Sequence, residues 1–282
     1  MRIRIAIACL FVISQTSGQI THPKASPFSR VEQVVGLSKI TIEYSRPAVK
    51  GRILFGELVP YGRIWRVGAN ESTKITVDSD MEVAGNMLPK ETYALYAFPE
   101  KDTWEVVFHK NTGHWGDGRQ NYDASEDAFR IAITPNKTEV WQENFLITFD
   151  EITHNSIIMK WLWGNTEVTI PLAVNTHQLM LHEISAKLKD NPSAQTYYEA
   201  ARYLEEQGVQ YPMALEYLNK AINLGGDTYY YHRVKSLVQA ALKDYKGAVL
   251  SAEKSMVLAE AEKKDEFVRM NKINIAKWKK LK

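Results

Sequence analysis

The feature that most constrains this chain is a change in the spacing of its hydrophobic residues near Asn175. In residues 39–172, apolar side chains alternate with polar ones, which is typical of β-strands with one buried face. Examples are Ile40, Ile42 and Tyr44, and further along Phe145, Ile147 and Phe149. After Asn175 the apolar residues recur every three or four positions, which is typical of amphipathic helices. The sequence therefore predicts a mixed, two-domain chain.

Residues 39–174 are predicted to form an all-β domain. Turn-forming residues separate the alternating segments, as at Ala84-Gly85-Asn86, Thr112-Gly113 and Gly164-Asn165. The pattern indicates about eight to ten short strands with no helices between them, which is typical of an antiparallel β-sandwich or jelly roll.

Residues 177–282 are predicted to form an all-α domain with an internal repeat. Tyr211, Ala214 and Ile222 recur, each 34 residues later, as Tyr245, Ala248 and Met256. This spacing is that of tetratricopeptide repeats, in which pairs of helices stack into an array. Asn191-Pro192-Ser193 interrupts the helical pattern, and Ser193 is the expected N-cap of the next helix.

Residues 1–18 are typical of a secretory signal peptide. Arg2 and Arg4 precede a continuous apolar run, residues 5–13, and small or polar residues follow as far as Gly18. The run is too short to span a bilayer, and no later stretch is long and apolar enough. The sequence therefore predicts export, to the periplasm or outside the cell, with residues 19–38 as a lead-in and no transmembrane segment.

Cysteine content and charge exclude several kinds of chemistry. The only cysteine, Cys9, lies in the predicted signal peptide, so the mature chain is expected to lack disulfides, thiolate metal sites and a cysteine nucleophile. Of 35 Lys and Arg residues, the loss of Arg2 and Arg4 leaves 33, against 33 Asp and Glu. A neutral mature chain does not favour nucleic acid as a partner.

Several motifs occur in order along the predicted β domain. They are Ser45-Arg46-Pro47-Ala48-Val49-Lys50-Gly51-Arg52, Phe55-Gly56-Glu57-Leu58-Val59-Pro60-Tyr61-Gly62, Trp65-Arg66-Val67-Gly68-Ala69-Asn70, Thr92-Tyr93-Ala94-Leu95 and Trp115-Gly116. With them, residues 28–173 resemble an exported bacterial family known only as domain of unknown function 2911. The resemblance implies export and a β-rich domain, and no reaction. The chain departs from the family pattern at Val67, where Thr is usual, at Lys90-Glu91, where Ala-Gly is usual, and at His109, where Asn is usual.

Residues 46–70, here called the basic loop, are the best candidate for a binding site. The loop carries five basic residues and one acid, Glu57. Guanidinium groups bind carboxylates or phosphates through paired hydrogen bonds, and a nearby aromatic ring such as Trp65 or Tyr61 could stack on a sugar or base. The predicted ligand is an anionic small molecule or a glycan. The predicted ligand-binding residues are Arg46, Lys50, Arg52, Trp65, Arg66 and Asn70. The alternative is structural: the arginines pair with acids of neighbouring strands, and Trp65 fills the core.

A second group of residues has side chains of the types that bind metal ions. It contains His109, His114, Asp117 and Asp123, and Glu126 and Asp127 follow closely. Imidazoles favour Zn²⁺ and carboxylates favour Ca²⁺, but the spacing matches no established metal motif, and an acidic loop between strands is usually solvated. The sequence therefore predicts no metal and no other cofactor.

The function favoured by these patterns is that of a non-catalytic exported binding protein, because no nucleophile elbow, P-loop or dinucleotide fingerprint occurs. The basic loop would take the ligand, and the helical repeats would bind a protein partner. The alternative is an envelope hydrolase acting on a glycan or ester through the same loop. An enzyme would show a deep pocket in which Arg46, Arg66 and Asn70 converge with a carboxylate or histidine. A third interpretation is that the loop is only a scaffold and the repeats carry the function.

Overall fold

The protein is described by a computed structural model that covers residues 22–116 and 119–281. The predicted signal peptide, residues 1–18, lies outside the described residues. The chain divides into two compact units, one ending at Asn175 and the other beginning at Thr176.

The first unit is built of β-strands that form two antiparallel sheets. The strands are β1 (Phe28–Val35), β2 (Ser38–Ser45), β3 (Thr73–Val77), β4 (Met81–Val83), β5 (Asn86–Leu88), β6 (Thr92–Phe98), β7 (Trp104–His109), β8 (Asp127–Ile133), β9 (Asn136–Asp150) and β10 (Ser156–Ala173). One sheet has the order β1-β2-β3-β6-β7-β8, and the other has the order β5-β4-β10-β9. A short 3₁₀ helix, Ala124–Glu126, precedes β8.

Side chains from both sheets pack into one hydrophobic cluster. Ile40, Ile42 and Ile75 of the six-stranded sheet belong to it, as do Ile147 and Ile170 of the four-stranded sheet, and all five are almost fully buried. Alternate residues of β2, β3, β9 and β10 supply this cluster, because a strand directs successive side chains to opposite faces. The antiparallel β-rich character predicted from the period of two is therefore confirmed.

The first strand lies earlier in the chain than the alternating pattern indicates. β1 occupies residues 28–35, inside the segment that the sequence assigns to a lead-in. Its more buried positions include Ser29 and Gln33 as well as Val31 and Val35, so polar residues interrupt the apolar face. β1 is an edge strand that pairs with β2, and an edge position requires less apolar burial than a central one.

The second unit consists of six helices. They are α1 (Thr176–Lys187), α2 (Ala194–Glu206), α3 (Tyr211–Asn223), α4 (Tyr229–Ala241), α5 (Tyr245–Ala261) and α6 (Asp265–Trp278). The predicted N-cap is confirmed, since the Ser193 hydroxyl accepts a hydrogen bond from the Thr196 amide in a capping box. The apolar face of α3, formed by Ala214, Leu218 and Ala221, is fully buried. In the described part of the chain, no helix has the length and apolar character needed to cross a membrane.

Candidate functional site

Backbone hydrogen bonds fix the basic loop to both sheets. The Val49 amide donates to the Glu143 carbonyl, and the Phe145 amide donates to the Pro47 carbonyl, each at 2.9 Å, which ties the start of the loop to β9. Near its end, Trp65 and Ala97 exchange two backbone hydrogen bonds of 2.7 and 2.8 Å, which tie the loop to β6. Backbone hydrogen bonds therefore hold the loop at its start and near its end.

A tight turn carries Lys50 and precedes Arg52, the second and third basic residues of the loop. Lys50 and Gly51 both have positive φ angles, 52° and 68°, as the central residues of type I′ turns do. The Lys50 amide donates to a carboxylate oxygen of Glu143 at 2.8 Å. This bond, with one from the Trp141 indole nitrogen and the nearby charges of Arg52 and Lys50, holds the pKa of Glu143 below its usual value.

A second, strained turn lies at the end of the loop. Val67 is buried with a φ of 54°, which is rare for a β-branched residue and costs conformational energy. Gly68 follows with a φ of 145°, and its carbonyl accepts a hydrogen bond from the Trp65 indole nitrogen at 3.3 Å. The Val67 carbonyl accepts a hydrogen bond from the Thr73 hydroxyl. These contacts hold the backbone next to Arg66 in a conformation that it would not adopt alone.

The basic loop lines a cavity of about 560 Å³. Five basic residues contribute to its wall, and Glu57 is the single acid among the described lining residues. The basic residues are Lys50, Arg52, Arg63, Arg66 and Arg119. Trp65 and Trp163 supply part of the apolar wall. The cavity therefore combines an apolar surface with an excess of positive charge.

Three of these cations form no salt bridge with a described carboxylate, although Arg52 and Lys50 lie near enough to Glu143 to lower its pKa. Arg52 donates from Nε to the Val49 carbonyl at 2.9 Å and from Nη2 to the Ala48 carbonyl at 2.6 Å. These carbonyls orient the guanidinium without neutralising it, and its remaining N–H groups stay available. Lys50 and Arg63 are exposed and form no ion pair with a described acid.

Four of the six predicted ligand-binding residues line the cavity, namely Lys50, Arg52, Trp65 and Arg66. Arg46 and Asn70 are not among the lining residues. Arg46 donates from Nε to the Phe145 carbonyl at 2.8 Å, and Asn70 donates to the Ser45 hydroxyl at 3.0 Å. Both side chains hydrogen-bond neighbouring segments, and of Arg46, Arg66 and Asn70 only Arg66 lines this cavity.

Trp65 belongs to the core as well as to the cavity wall. Its side chain is 7% exposed, and it stacks on Trp163 with ring centroids 5.8 Å apart. Phe55, Trp104 and Phe145 surround it with edge contacts. The indole is therefore packed on most sides, as the structural alternative requires of Trp65, and only a small part of it can touch a ligand.

Sequence reasoning did not select Arg63 and Arg119 as ligand-binding residues. Arg63 lies in the basic loop and was counted among its charges, so its signal was present. Arg119 lies far along the chain, after β7, and reaches the cavity through the fold. No local pattern distinguishes Arg119 from other surface arginines.

A serine–lysine pair beside the loop was also missed. Lys74 Nζ lies 2.8 Å from Ser72 Oγ and 3.0 Å from the Ser72 carbonyl oxygen. Burial lowers the pKa of Lys74, while the charges of Glu71 and Glu43 act in the opposite direction. Both side chains line a separate cavity of about 270 Å³. The signal was a lysine two residues from a serine, which places the two side chains on one face of a strand.

The histidine-containing group is partly brought together by the fold. The rings of His109 and His114 lie with centroids 5.4 Å apart. Asp123 instead caps the short 3₁₀ helix by accepting a hydrogen bond from the Ser125 amide at 2.9 Å, which lowers the pKa of its carboxyl. Asp117 lies outside the described residues. Glu126, at 3.5 Å from His109, joins the histidines instead.

Comparison with known proteins gives a family match that covers the β unit. The model of a family described as "Protein of unknown function (DUF2911)" matches residues 26–172. No curated protein and no solved structure matches the chain.

Proposed function

The chain belongs to the DUF2911 family of proteins of unknown function, and we propose that this member binds an anionic small molecule or an acidic glycan in the cavity lined by the basic loop. The observation that carries this proposal is the group of five basic side chains, set against one described acid, around a cavity of about 560 Å³. Such a volume lies within the usual range of small-ligand sites.

The chemistry of the wall favours carboxylate or phosphate groups. Arg52 and Arg63 offer planar guanidinium groups, which bind such anions through paired hydrogen bonds, and Lys50 adds a point charge. The strained backbone at Val67 is consistent with a site whose geometry is set before the ligand arrives. Ser26 is the one serine among the described lining residues, and no histidine or cysteine is among them. This composition favours binding without catalysis.

Replacing both Arg52 and Arg63 with glutamine is expected to weaken anion binding by at least about a hundredfold. Each lost charge-assisted hydrogen bond costs about 1.5–3 kcal/mol, and 1.4 kcal/mol corresponds to a factor of ten. Isothermal titration calorimetry with pyrophosphate, citrate and oligogalacturonate would measure the change. The three probes separate phosphate, carboxylate and acidic-glycan recognition.

The matched control is Arg269→Gln, because Arg269 is an exposed arginine of α6 in the other unit. This variant should bind like the parent chain. Arg46→Ala tests the structural role assigned above, and it should lower stability more than it changes anion affinity. Failure of all three probes to bind at millimolar concentration, or equal binding by the Arg52/Arg63 double variant, would refute the proposal.

The proposal extends to the arrangement of the sheets and of the helices. We infer that the two sheets pack as a sandwich, since their inward residues share one cluster. We also infer a tetratricopeptide-like array, since α3 and α5 begin 34 residues apart, at Tyr211 and Tyr245, and α2 contacts both α3 and α4. In this proposal the chain is exported to the periplasm or beyond, and the helices bind a segment of a partner protein.

A second candidate function, hydrolysis of an ester or glycan in the envelope, is favoured by Ser72 and Lys74. A lysine with a lowered pKa can accept the proton of a serine hydroxyl 2.8 Å away and so activate it as a nucleophile. The pair lies close to the end of the basic loop, where the Asn70 side chain lines the same cavity.

A fluorophosphonate probe tests this candidate, because it modifies activated serines. If the pair is catalytic, mass spectrometry should find the label on Ser72, and Lys74→Met should slow labelling at least about a hundredfold. The labelling rate should rise with pH as Lys74 loses its proton, with a midpoint below the ordinary lysine pKa of about 10.4. The control is Ser125→Ala, which removes an exposed hydroxyl. Absence of label on Ser72 would exclude the hydrolase.

A further inference from the structure

A fully buried histidine lies on the outer side of the six-stranded sheet. His109 ends β7 with its side chain 0% exposed, against the rings of Tyr96 and Tyr122. Its Nε2 atom makes no hydrogen bond. A buried nitrogen without a partner is costly, and such atoms in native structures often mark a functional site or an unseen ion.

The other nitrogen of this ring is held firmly. Nδ1 of His109 lies 2.9 Å from Oδ1 of Asp127, which is 9% exposed. Since a carboxylate only accepts hydrogen bonds, Nδ1 donates to Asp127, and in the neutral ring Nε2 keeps its lone pair for another partner. Tyr122 donates to both carboxylate oxygens of Asp127, at 2.9 and 2.7 Å, and Arg130 donates to one at 2.8 Å. A carboxylate that orients a histidine in this way is the usual outer partner of a metal ligand.

Two further side chains surround the available nitrogen. Oε2 of Glu126 lies 3.5 Å from Nε2 of His109, and Asn111 Nδ2 donates to the same carboxylate at 3.1 Å. His114 lies beside them, with its Nδ1 3.3 Å from the Tyr96 hydroxyl. One possible ligand atom from each of His109, His114 and Glu126 lies within 4.8 Å of the other two. Each of the three side chains therefore has a neighbour that orients it.

We propose that His109, His114 and Glu126 bind a divalent first-row transition metal ion, with Zn²⁺ as the best fit. Two imidazole nitrogens and one carboxylate oxygen suit Zn²⁺ and its neighbours, whereas Mg²⁺ and Ca²⁺ prefer oxygen ligands alone. The site lies apart from the cavity of the basic loop, since none of its three residues lines that cavity. The prediction from sequence spacing that no metal binds is replaced here by this proposal.

The present geometry is close to that of a bound ion. Metal–ligand bonds of about 2.1 Å at tetrahedral angles separate ligand atoms by roughly 3.4 Å. The His109–Glu126 distance of 3.5 Å already matches, and a small inward movement of His114 completes the set. Three protein ligands leave a fourth position for water or another donor.

Binding would fasten a long connection to the sheet beneath it. His114 and Glu126 lie between β7 and β8, whereas His109 belongs to β7 itself. An ion held by all three would therefore join both parts of this connection to the strand. Arg119, which lines the anion cavity, lies in the same connection.

The test uses the purified chain without a histidine tag, stripped with a chelator. Isothermal titration calorimetry with Zn²⁺, anaerobic Fe²⁺ and Mg²⁺ identifies the preferred ion, and Co²⁺ reports the coordination geometry through its visible absorption. We expect one Zn²⁺ per chain, no binding of Mg²⁺ at equal concentration, and a rise in melting temperature with Zn²⁺. Glu126→Gln and His114→Gln should each weaken Zn²⁺ binding at least about a hundredfold.

The controls are Glu139→Gln and His182→Gln, which change an exposed acid and an exposed histidine elsewhere in the chain. Both should bind Zn²⁺ like the parent. Because His109 is buried, its replacement can unfold the sheet, so the test relies on the more accessible Glu126 and on His114, with circular dichroism to confirm folding. A metal-free hydrogen-bonded cluster is the competing interpretation. It is established if Zn²⁺, Fe²⁺ and Co²⁺ all fail to bind, or if both variants keep the parent affinity.

Discussion

Replacing Trp65 with alanine is expected to lower the free energy of unfolding of the β unit by about 3–5 kcal/mol. The indole is 7% exposed, stacks on Trp163 and touches Phe145 at a centroid distance of 5.3 Å. Removing it would leave a void that the neighbouring rings cannot fill without leaving their preferred rotamers. The hydrogen bond from its Nε1 atom to the Gly68 carbonyl would also be lost.

Urea denaturation followed by tryptophan fluorescence measures this effect, because six of the seven tryptophans precede Asn175. Circular dichroism supplies a second signal that does not depend on Trp65. Trp115→Ala is the control: that side chain is 66% exposed, so its loss should cost less than about 1 kcal/mol. Equal midpoints for the two variants would show that the aromatic cluster does not stabilise the unit as described.

Gly68→Ala is expected to destabilise the same unit by about 2–6 kcal/mol, through two separate effects. At a φ of 145° the backbone is strained for any residue with a side chain, which costs about 1–3 kcal/mol. The added Cβ atom would also lie 2.8 Å from the carbonyl oxygen of Ser45, a backbone atom that β2 holds in place. Relieving that clash requires a backbone shift, at a further cost of about 1–3 kcal/mol.

Gly85→Ala separates the two effects. Gly85 also has a positive φ, 84°, but nothing lies within 4 Å of the position where its Cβ would be placed. This control should therefore show the cost of strain without the clash, about 1 kcal/mol. Urea titrations of both variants give the difference. If Gly85→Ala is as harmful as Gly68→Ala, close packing against Ser45 is not what requires glycine at position 68.

These two predictions also guide the tests of function. Trp65 and Gly68 line the cavity of the basic loop and at the same time support the fold. A loss of binding in either variant would therefore mix local and global effects. Lys50, Arg52 and Arg63 are exposed, so their replacement should change the charge of the cavity with little effect on stability.

The burial of His109 is a feature that the strand pattern of the sequence does not predict. The period of two in β7 places Phe108 on the buried face and His109 on the opposite one, so alternation alone predicts that His109 faces solvent. In the structure His109 is fully buried, because Tyr122 and other residues before β8 lie over it. The sequence of the connection between β7 and β8 has no periodic pattern from which this packing could be predicted.

The residues that line the cavity of the basic loop are likewise only partly evident from the sequence. The density of arginine and glycine distinguishes the basic loop in the sequence, but Arg46 donates to the Phe145 carbonyl and Asn70 to the Ser45 hydroxyl, and neither lines the cavity. Arg119 was added from a distant segment. Which charged groups of a loop face a cavity depends on the backbone carbonyls nearby, and a single sequence does not reveal them.

The amino-acid sequence by itself determined the class of each unit, the change near Asn175, the N-cap at Ser193 and the 34-residue repeat. These are local properties, because strand pleating, helix pitch and capping act between residues only a few positions apart. Only the tertiary structure decided that Arg119 joins Arg52, and that His109 meets His114 and Glu126. Those meetings depend on how separate segments pack, and packing is set by the shapes of all the side chains together.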